Sequence, residues 1–351
     1  MAVYSIDVLT DPRWESFLLE QPRASIFHTR PWLEALRRTY DYKPVAFTTS
    51  APGEPLSSAL VFCEVKSWIT GRRLVSLPFS DHCDLLASSA RDEEEILSHV
   101  QAQVARDGFK YAELRPLPAE GESAAAAWRP ADEFCMHVLS LDAPLEKLFV
   151  NLHKDCYQRK IRRAEREELR YEKGHSEAHL RAFYQLMLRT RRRHCLPPAP
   201  LQWFRNLTAC MGDQLTIRIA SKGDEPVAAI LTLSFKDDIV YKYGCSDERF
   251  NNLGGTPFLF WKTIQEAKGD GMRRLDLGRS DTANDGLIAF KDRMGAARSL
   301  LRYRRCGDEK NAGTADSTAS GWLAEVAKKV FPRLPDTVLT ASGRFLYRHI
   351  G

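Results

Sequence analysis

The feature that most constrains this chain is a set of three β-rich runs in its second half. LTIRIA (215–220), VAAILTLSF (227–235) and IVYKYG (239–244) are rich in β-branched and aromatic residues, with only the turn signals KGDEP and KDD between them. Runs so closely spaced form an antiparallel meander. Thr256 followed by Pro257 predicts a helix start, because the missing proline N–H costs nothing in the first turn. Phe258, Trp261, Ile264 and Ala267 then recur at helical spacing until Gly269 and Gly271. MRRLDLG returns as a strand, and a second helix is predicted over about 285–295. The order is β-β-β-α-β-α.

A fainter copy precedes it. SALVFCEVKS (58–67) and RRLVSLPF (72–79) read as strands. Asp92 is a candidate cap for a helix with Ile96, Leu97, Val100 and Val104 on one face. DGFKYAELRP (107–116) then parallels DGMRRLDLGRS (270–280), each with an acid before a leucine: Glu113-Leu114 and Asp276-Leu277, 163 residues apart. Two copies fit, so the pattern is a duplication and not a solenoid. PAEGESAAAAWRPADE (118–133) reads as a surface loop. From Pro144 one long helix is expected through LEKLFVNLHKDCYQRKIRRAEREEL, apolar on one face at first and basic along Arg159, Arg163 and Arg166. DEKNAGTADSTASG (308–321) reads as a linker. After it comes a tail with Trp322, Leu323, Val326, Val330 and Phe331 around Lys328 and Lys329.

Charge and cysteine usage narrow the partners. The 351 residues carry a net charge of +5, yet residues 154–193 alone hold 13 Lys/Arg against 6 Asp/Glu. That concentration favours an anionic partner. No stretch approaches the apolar length of a membrane span, and Asp7 and Asp11 stand where a signal peptide needs basic and apolar regions. A cytoplasmic chain is expected, with peripheral attachment at the inner membrane face left open. The eight cysteines form no CxxC pair, and reduced thiols are expected. His175 and His179 are spaced i,i+4 but lack the pattern of a zinc protease, so no metal is expected.

Four stretches together carry a family resemblance: FHTRPWLEAL (27–36), PFSDHCDLL (78–86), RKIRRAEREELRY (159–171) and the closing GRS…GLIAFKDRMGA (278–296). They resemble the FemAB-related aminoacyl- and acyltransferases over about residues 1–305. The resemblance implies an α/β (α+β) chain of tandem GNAT-like domains, each a mixed, mostly antiparallel sheet flanked by helices. The expected divisions are 1–143, 144–307 and a linker with an amphipathic tail, 308–351. It also implies N-acyl transfer onto an amine of a phosphate-bearing cell-envelope or exopolysaccharide precursor. The donor is a co-substrate rather than a resident cofactor: acyl-CoA by a small margin over aminoacyl-tRNA. The competing reading is an inactive GNAT pair that holds RNA or an anionic membrane surface.

The resemblance also assigns residues. Lys291 is placed as family members place a lysine beside donor and acceptor, and a cation there suits a developing oxyanion or a donor phosphate. Phe290 would shape the pocket. Asp81 and His82 would orient the acceptor amine or take its proton. Basic residues of the matching regions hold precursor phosphates in the family: here Arg189, Arg192 and Arg193, and near the N-terminus Arg30, Trp32 and Arg37. NNLGGTP (251–257) sits where GNAT enzymes bind a pyrophosphate, making Asn252, Gly254, Gly255 and Thr256 the cofactor-loop candidates. The loop departs from the family's Q/R-x-x-G-x-G/A pattern at its start and at its second glycine, which leaves coenzyme A binding open. Arg279 and Asp281 are expected to pair and, with Asp276, to hold the loop that presents Lys291.

Overall fold

The computed structural model describes residues 2–118, 128–307 and 335–350. The expected linker 308–321 and the tail from Trp322 to Phe331 lie outside them. So do residues 119–127 of the expected loop, whose end belongs to a strand starting at Arg129. The described residues divide into two units. Unit 1 holds the chain up to Glu133, then 301–307 and 341–350; unit 2 holds Phe134–Leu300 and 335–340. The divisions thus fall at 133/134 and 300/301, where the sequence suggested 143/144 and 307/308.

In chain order, unit 1 carries β1 (Tyr4–Ile6), α1 (Trp14–Glu20), α2 (Arg30–Tyr40), β2 (Lys43–Thr48), β3 (Ser58–Ser67) and β4 (Gly71–Ser76). After these come β5 (Leu86–Ala87), α3 (Ala90–Arg106) and β6 (Tyr111–Leu114). β7 (Arg129–Ser140) leads into unit 2, with α4 (Leu145–Asn151), α5 (Arg159–Arg166), β8 (Arg170–Gly174), α6 (Glu177–Arg193) and α7 (Leu201–Met211). Next are β9 (Leu215–Lys222), β10 (Glu225–Phe235), β11 (Asp238–Ser246), α8 (Gly255–Gly269), β12 (Arg274–Asp281) and α9 (Asp285–Asp292). β13 (Ala297–Gly307) and α10 (Asp336–Ile350) complete the chain.

The expected duplication is visible in the pairing. In unit 1, β3 and β4 are antiparallel, α3 crosses over, and β6 returns parallel to β4. In unit 2, β10 and β11 are antiparallel, α8 crosses over, and β12 returns parallel to β11. The repeated acids hold the same register: Glu113 stands opposite Val75, and Asp276 opposite Val240. The unit 1 sheet runs β1-β2-β3-β4-β6-β13, and that of unit 2 runs β7-β12-β11-β10-β9-β8. Most neighbours are antiparallel.

Each crossover helix packs its apolar stripe on its own sheet. Ile96, Leu97, Val100 and Val104 of α3 are buried with Phe47, Leu60, Phe62 and Leu74. Phe260, Trp261, Ile264 and Ala267 of α8 are buried with Leu139, Ile239, Leu275 and Leu277. Each large side chain so removed from water contributes about 1.5–3 kcal/mol.

Two helix limits differ from the sequence reading. α3 is capped by Ser89, whose hydroxyl accepts the Asp92 amide at 3.1 Å, so Asp92 sits inside the first turn. The long helix expected from Pro144 is broken. Leu152 and His153 are extended, and the His153 imidazole accepts the amides of Asp155 and Cys156 before a short π-helical stretch leads into α5. The His153 amide is meanwhile drawn to the Arg293 carbonyl at 2.8 Å. A local imidazole cap and a tertiary hydrogen bond thus override a sequence with no Gly or Pro breaker.

Candidate functional site

β11 and β12 pair only over Asp238–Val240 and Arg274–Asp276. Beyond those residues β11 continues along β10 to Ser246, and β12 follows β7 to Asp281. The two parallel strands therefore part company. A bulge at Lys242, between the Leu231 and Thr232 pairings, bends β11 at the same level. Where β11 ends, α8 begins, and a cavity of about 350 Å³ opens there.

The start of α8 is built for close approach. Gly254 has φ +80°, and a Cβ there would collide with the Lys160 carbonyl of α5; Gly255 lies 3.0 Å from the Ala228 side chain by the same measure. Glycine is needed at both points, one for conformation and one for space. Among the described residues no side chain caps the helix and its first turn holds no acid; Pro257 has no N–H and Phe258 bonds the Gly254 carbonyl, which leaves the Gly255 and Thr256 N–H groups for the cavity they line. Gly255 and Thr256 line it, with Asn251 in place of the expected Asn252 and Gly254 behind at the cap. Lys160 and Arg293 add two cations, and Phe290 forms an apolar wall. The Arg293 guanidinium also donates to Cys156 Sγ at 3.4 Å. Amides at a helix start, flanked by cations, form an anion site.

The adjacent motif lysine faces elsewhere. Lys291 is buried, and its Nζ donates to the carbonyls of Gly278, at 2.9 Å, and Arg279, at 3.1 Å. Asp276 accepts the Gly278 amide at 2.7 Å, so this bend of β12 is held from both sides. Phe290 and Lys291 diverge because consecutive residues on a helix do not share a face. The Phe290 carbonyl accepts the Tyr157 hydroxyl at 2.9 Å. Asp281 accepts the Ala283 amide rather than pairing with Arg279, whose guanidinium lies 4.0 Å from the Phe134 ring centroid. The expected loop-holding pair is thus replaced by a turn cap and a cation–π contact.

Beside Lys291 stands a residue the sequence reading missed. His137 of β7 is fully buried, and its Nε2 lies 3.1 Å from the Asp292 carboxylate. Burial pushes its pKa down; the hydrogen bond to Asp292 opposes this, and the charge of Lys291 adds to it.

The arginines near 190 converge as the sequence reading suggested and gain one more. Arg189, Arg192, Arg193 and the unforeseen Arg249 line a depression of about 510 Å³, which shares Ser246 with the α8 cavity. Its charge is partly balanced internally. Asp247 binds Arg189 and accepts from Arg249 at 2.7 Å, and Arg192 meets Asp336 at 2.7 Å. The Arg249 hydrogen bond is the main reason the Asp247 carboxyl is held down at about 2. Arg249, Lys160 and Arg293 were visible in the sequence as unremarked basic residues beside the glycine loop, in the basic segment and after the lysine motif.

The unit 1 candidates have structural surroundings. Arg30 donates to the Val8 carbonyl at 3.1 Å and to the Asp11 carbonyl, and pairs with Glu15 at 3.3 Å. Trp32 is fully buried, edge-on to Phe27, while Arg37 is exposed and forks onto Glu34. Asp81 is half-buried, and its carbonyl accepts the Tyr303 hydroxyl at 2.6 Å. His82 is buried against Phe27. His175 precedes α6, while His179 sits inside it and bonds the cap residue Ser176 at 2.7 Å, so the two do not share a helix face.

Comparison with known proteins places this geometry. Residues 153–292 match the acetyltransferase (GNAT) domain model, a span that includes every lining residue of the α8 cavity except Arg293. No curated protein sequence matches the chain. Among solved structures, FemX aligns with a TM-score of 0.67 at 13% identity, covering 86% of this chain and 97% of its own. The L-PGS structure from Bacillus licheniformis gives 0.54 at 14%, covering 92% and 97%. A tandem GNAT protein from the clavulanic acid biosynthesis pathway gives 0.53 at 11%, covering 88% and 99%. At these identities the likeness is one of fold.

Proposed function

We propose that this chain is a FemAB-like GNAT-fold acyltransferase that forms an amide on an amine of a phosphate-bearing cell-envelope or exopolysaccharide precursor, with acyl-CoA as donor in preference to aminoacyl-tRNA. The observation that carries the donor choice is the uncapped, glycine-bearing start of α8, open to a cavity with Lys160 and Arg293 at its edge. Such a start suits a pyrophosphate. The parting of β11 and β12 leaves room for the thioester arm.

In this reading the amine nitrogen attacks the thioester carbonyl carbon. The C–N bond forms, the C–S bond breaks, and the thiolate leaves with the proton that the amine gives up. Lys291, held on the β12 carbonyls and not on the α8 cavity, is assigned to the developing oxyanion on the family resemblance, as a preorganised positive charge. Arg189, Arg192, Arg193 and Arg249 serve phosphates through their planar forks. Asp81 and His82 of unit 1 are assigned to the acceptor amine on the family resemblance alone. The chain acts in the cytoplasm, peripheral to the membrane that holds such precursors.

Calorimetric titration tests the donor. Coenzyme A should bind wild type, and Lys160→Ala with Arg293→Ala should weaken it about tenfold or more. Binding of charged tRNA without binding of coenzyme A would reverse the donor assignment. Ligand binding with no amide product from either donor would make the chain a binding module for RNA or an anionic surface.

A further inference from the structure

The described chain leaves an apolar cluster in water on unit 1. Trp68 is 80% exposed, Ile69 50% and Phe345 50%. Trp68 and Ile69 form the tip between β3 and β4; Phe345 comes from α10. The rings meet: Trp68 lies 6.3 Å from Phe345 and 5.8 Å from His349.

The arrangement is held firmly. Ser67 Oγ accepts the Ile69 and Thr70 amides, fixing the hairpin tip. The last carbonyls of α10 are taken by side chains of the same unit. Arg73 donates to His349 O at 2.6 Å, Thr70 to the same oxygen at 2.9 Å, and Tyr42 to Tyr347 O and Arg348 O. A buried cation at a helix C-terminus is the favourable arrangement there. His349 completes the joint through Ser67 Oγ at 3.0 Å. These polar anchors keep Phe345 beside an exposed tryptophan, although burying both rings in a core would remove more apolar surface from water.

The flanks are cationic. Lys66 and Arg72 border the tip, and Arg344 and Arg348 are exposed on the helix turns beside Phe345. Glu64, an acid beside the tip, is already engaged by Lys66 and Arg72. We infer that this cluster is a membrane-docking surface, in which Trp68, Ile69 and Phe345 enter the interface of an anionic bilayer while Arg344, Arg348 and Lys66 meet lipid phosphates. Tryptophan and phenylalanine favour that interface, and long cations reach headgroups from beside it. Three side chains are too few for a stable protein interface, which needs about 1,000 Å². The inference deepens the membrane-peripheral part of the functional reading, but stands on unit 1 alone and does not need the acyl-transfer chemistry.

The test is co-sedimentation of the full chain with vesicles of equimolar phosphatidylglycerol and phosphatidylcholine, and with vesicles of phosphatidylcholine alone. Wild type should bind the anionic vesicles more tightly, and brominated lipid should quench its fluorescence. Trp68→Ser with Phe345→Ser should bind about tenfold or more weakly. Arg344→Gln with Arg348→Gln should lose about fivefold per charge and show a flatter salt dependence. Both variants change exposed side chains, so an unchanged melting curve and unchanged turnover on a soluble amine acceptor are expected. That second readout separates failure of docking from failure of the chemistry. Equal sedimentation of wild type and the Trp68/Phe345 variant would overturn the proposal, as would no vesicle binding. A Trp68-dependent dimer in the absence of lipid would do the same, by assigning the patch to a second copy of the chain.

Discussion

The two units build one β-β-α-β motif twice, and the two helix starts show what separates a scaffold from a site. At α3 the start is occupied: Ser89 caps it, and Asp92 and Glu93 place carboxylates in the first turn. At α8 two glycines replace the cap and no acid follows. The strand pairs differ in the same sense. β4 and β6 pair to their ends at Ser76 and Leu114, and a Cys83–Arg115 bridge follows past those ends. There the buried Arg115 donates to the Leu77 and Ser80 carbonyls and pairs with Glu113 at 2.9 Å. In unit 2 the equivalent acid, Asp276, turns to the Gly278 amide instead, and the strands part. The same topology is bridged past its parallel strands in one unit and opened in the other.

Substitutions can break or sharpen this contrast. The largest expected effect is on the α8 scaffold: Trp261→Ala should cost about 3–5 kcal/mol in chemical denaturation, because its indole packs 4.9 Å from Phe149 in the unit 2 core. Lys291→Met should lower turnover about a hundredfold or more at saturating donor. Turnover within a few-fold of wild type would reduce Lys291 to a tie between α9 and β12. Gly254→Ala, which forces a Cβ against Lys160 in the left-handed region, should weaken coenzyme A about tenfold and cost about 1–3 kcal/mol. Its counterpart in unit 1, Ser89→Ala, should cost about 1 kcal/mol and leave coenzyme A affinity unchanged. If the two substitutions affect donor binding alike, the contrast between the helix starts fails.

The smallest effect concerns pH. His137 has a pKa below its ordinary value of 6.5 because it is buried. As pH falls below about 6.5 the unfolded chain takes up this proton before the folded chain does, so stability should fall progressively toward the lowered value. His137→Gln should flatten that part of the profile, as followed by thermal melts from neutral pH downward. An unaltered profile in the variant would assign the dependence to other groups.

Most of the motif was legible because it is local. β9, β10 and β11, the stripe on α8, and the acid shared by Glu113 and Asp276 all follow from period and turn chemistry in adjacent residues. What escaped depends on distant partners. Nothing between 145 and 168 signals a break, because His153 makes it together with the Arg293 carbonyl, far along the chain. The site shows the same division. The glycine loop and the Arg189–Arg193 cluster were readable as patterns, whereas the direction of Lys291 depends on where the carbonyls of β12 lie. Lys160 and Arg293 frame one cavity only after α5 and α9 have packed.

The path of the chain has a consequence for synthesis. The sixth strand of the first sheet, β13, pairs with β6 from Arg304 to Gly307, and with it comes Arg305, which meets the buried Glu113 at 2.6 Å. These residues leave the ribosome only after the whole second unit up to Leu300 has been translated. The N-terminal body therefore waits, with an open β6 edge and a half-neutralised interior carboxylate, while the later-made body already has all of its sheet. In this protein the last part to be finished is the first part to be made.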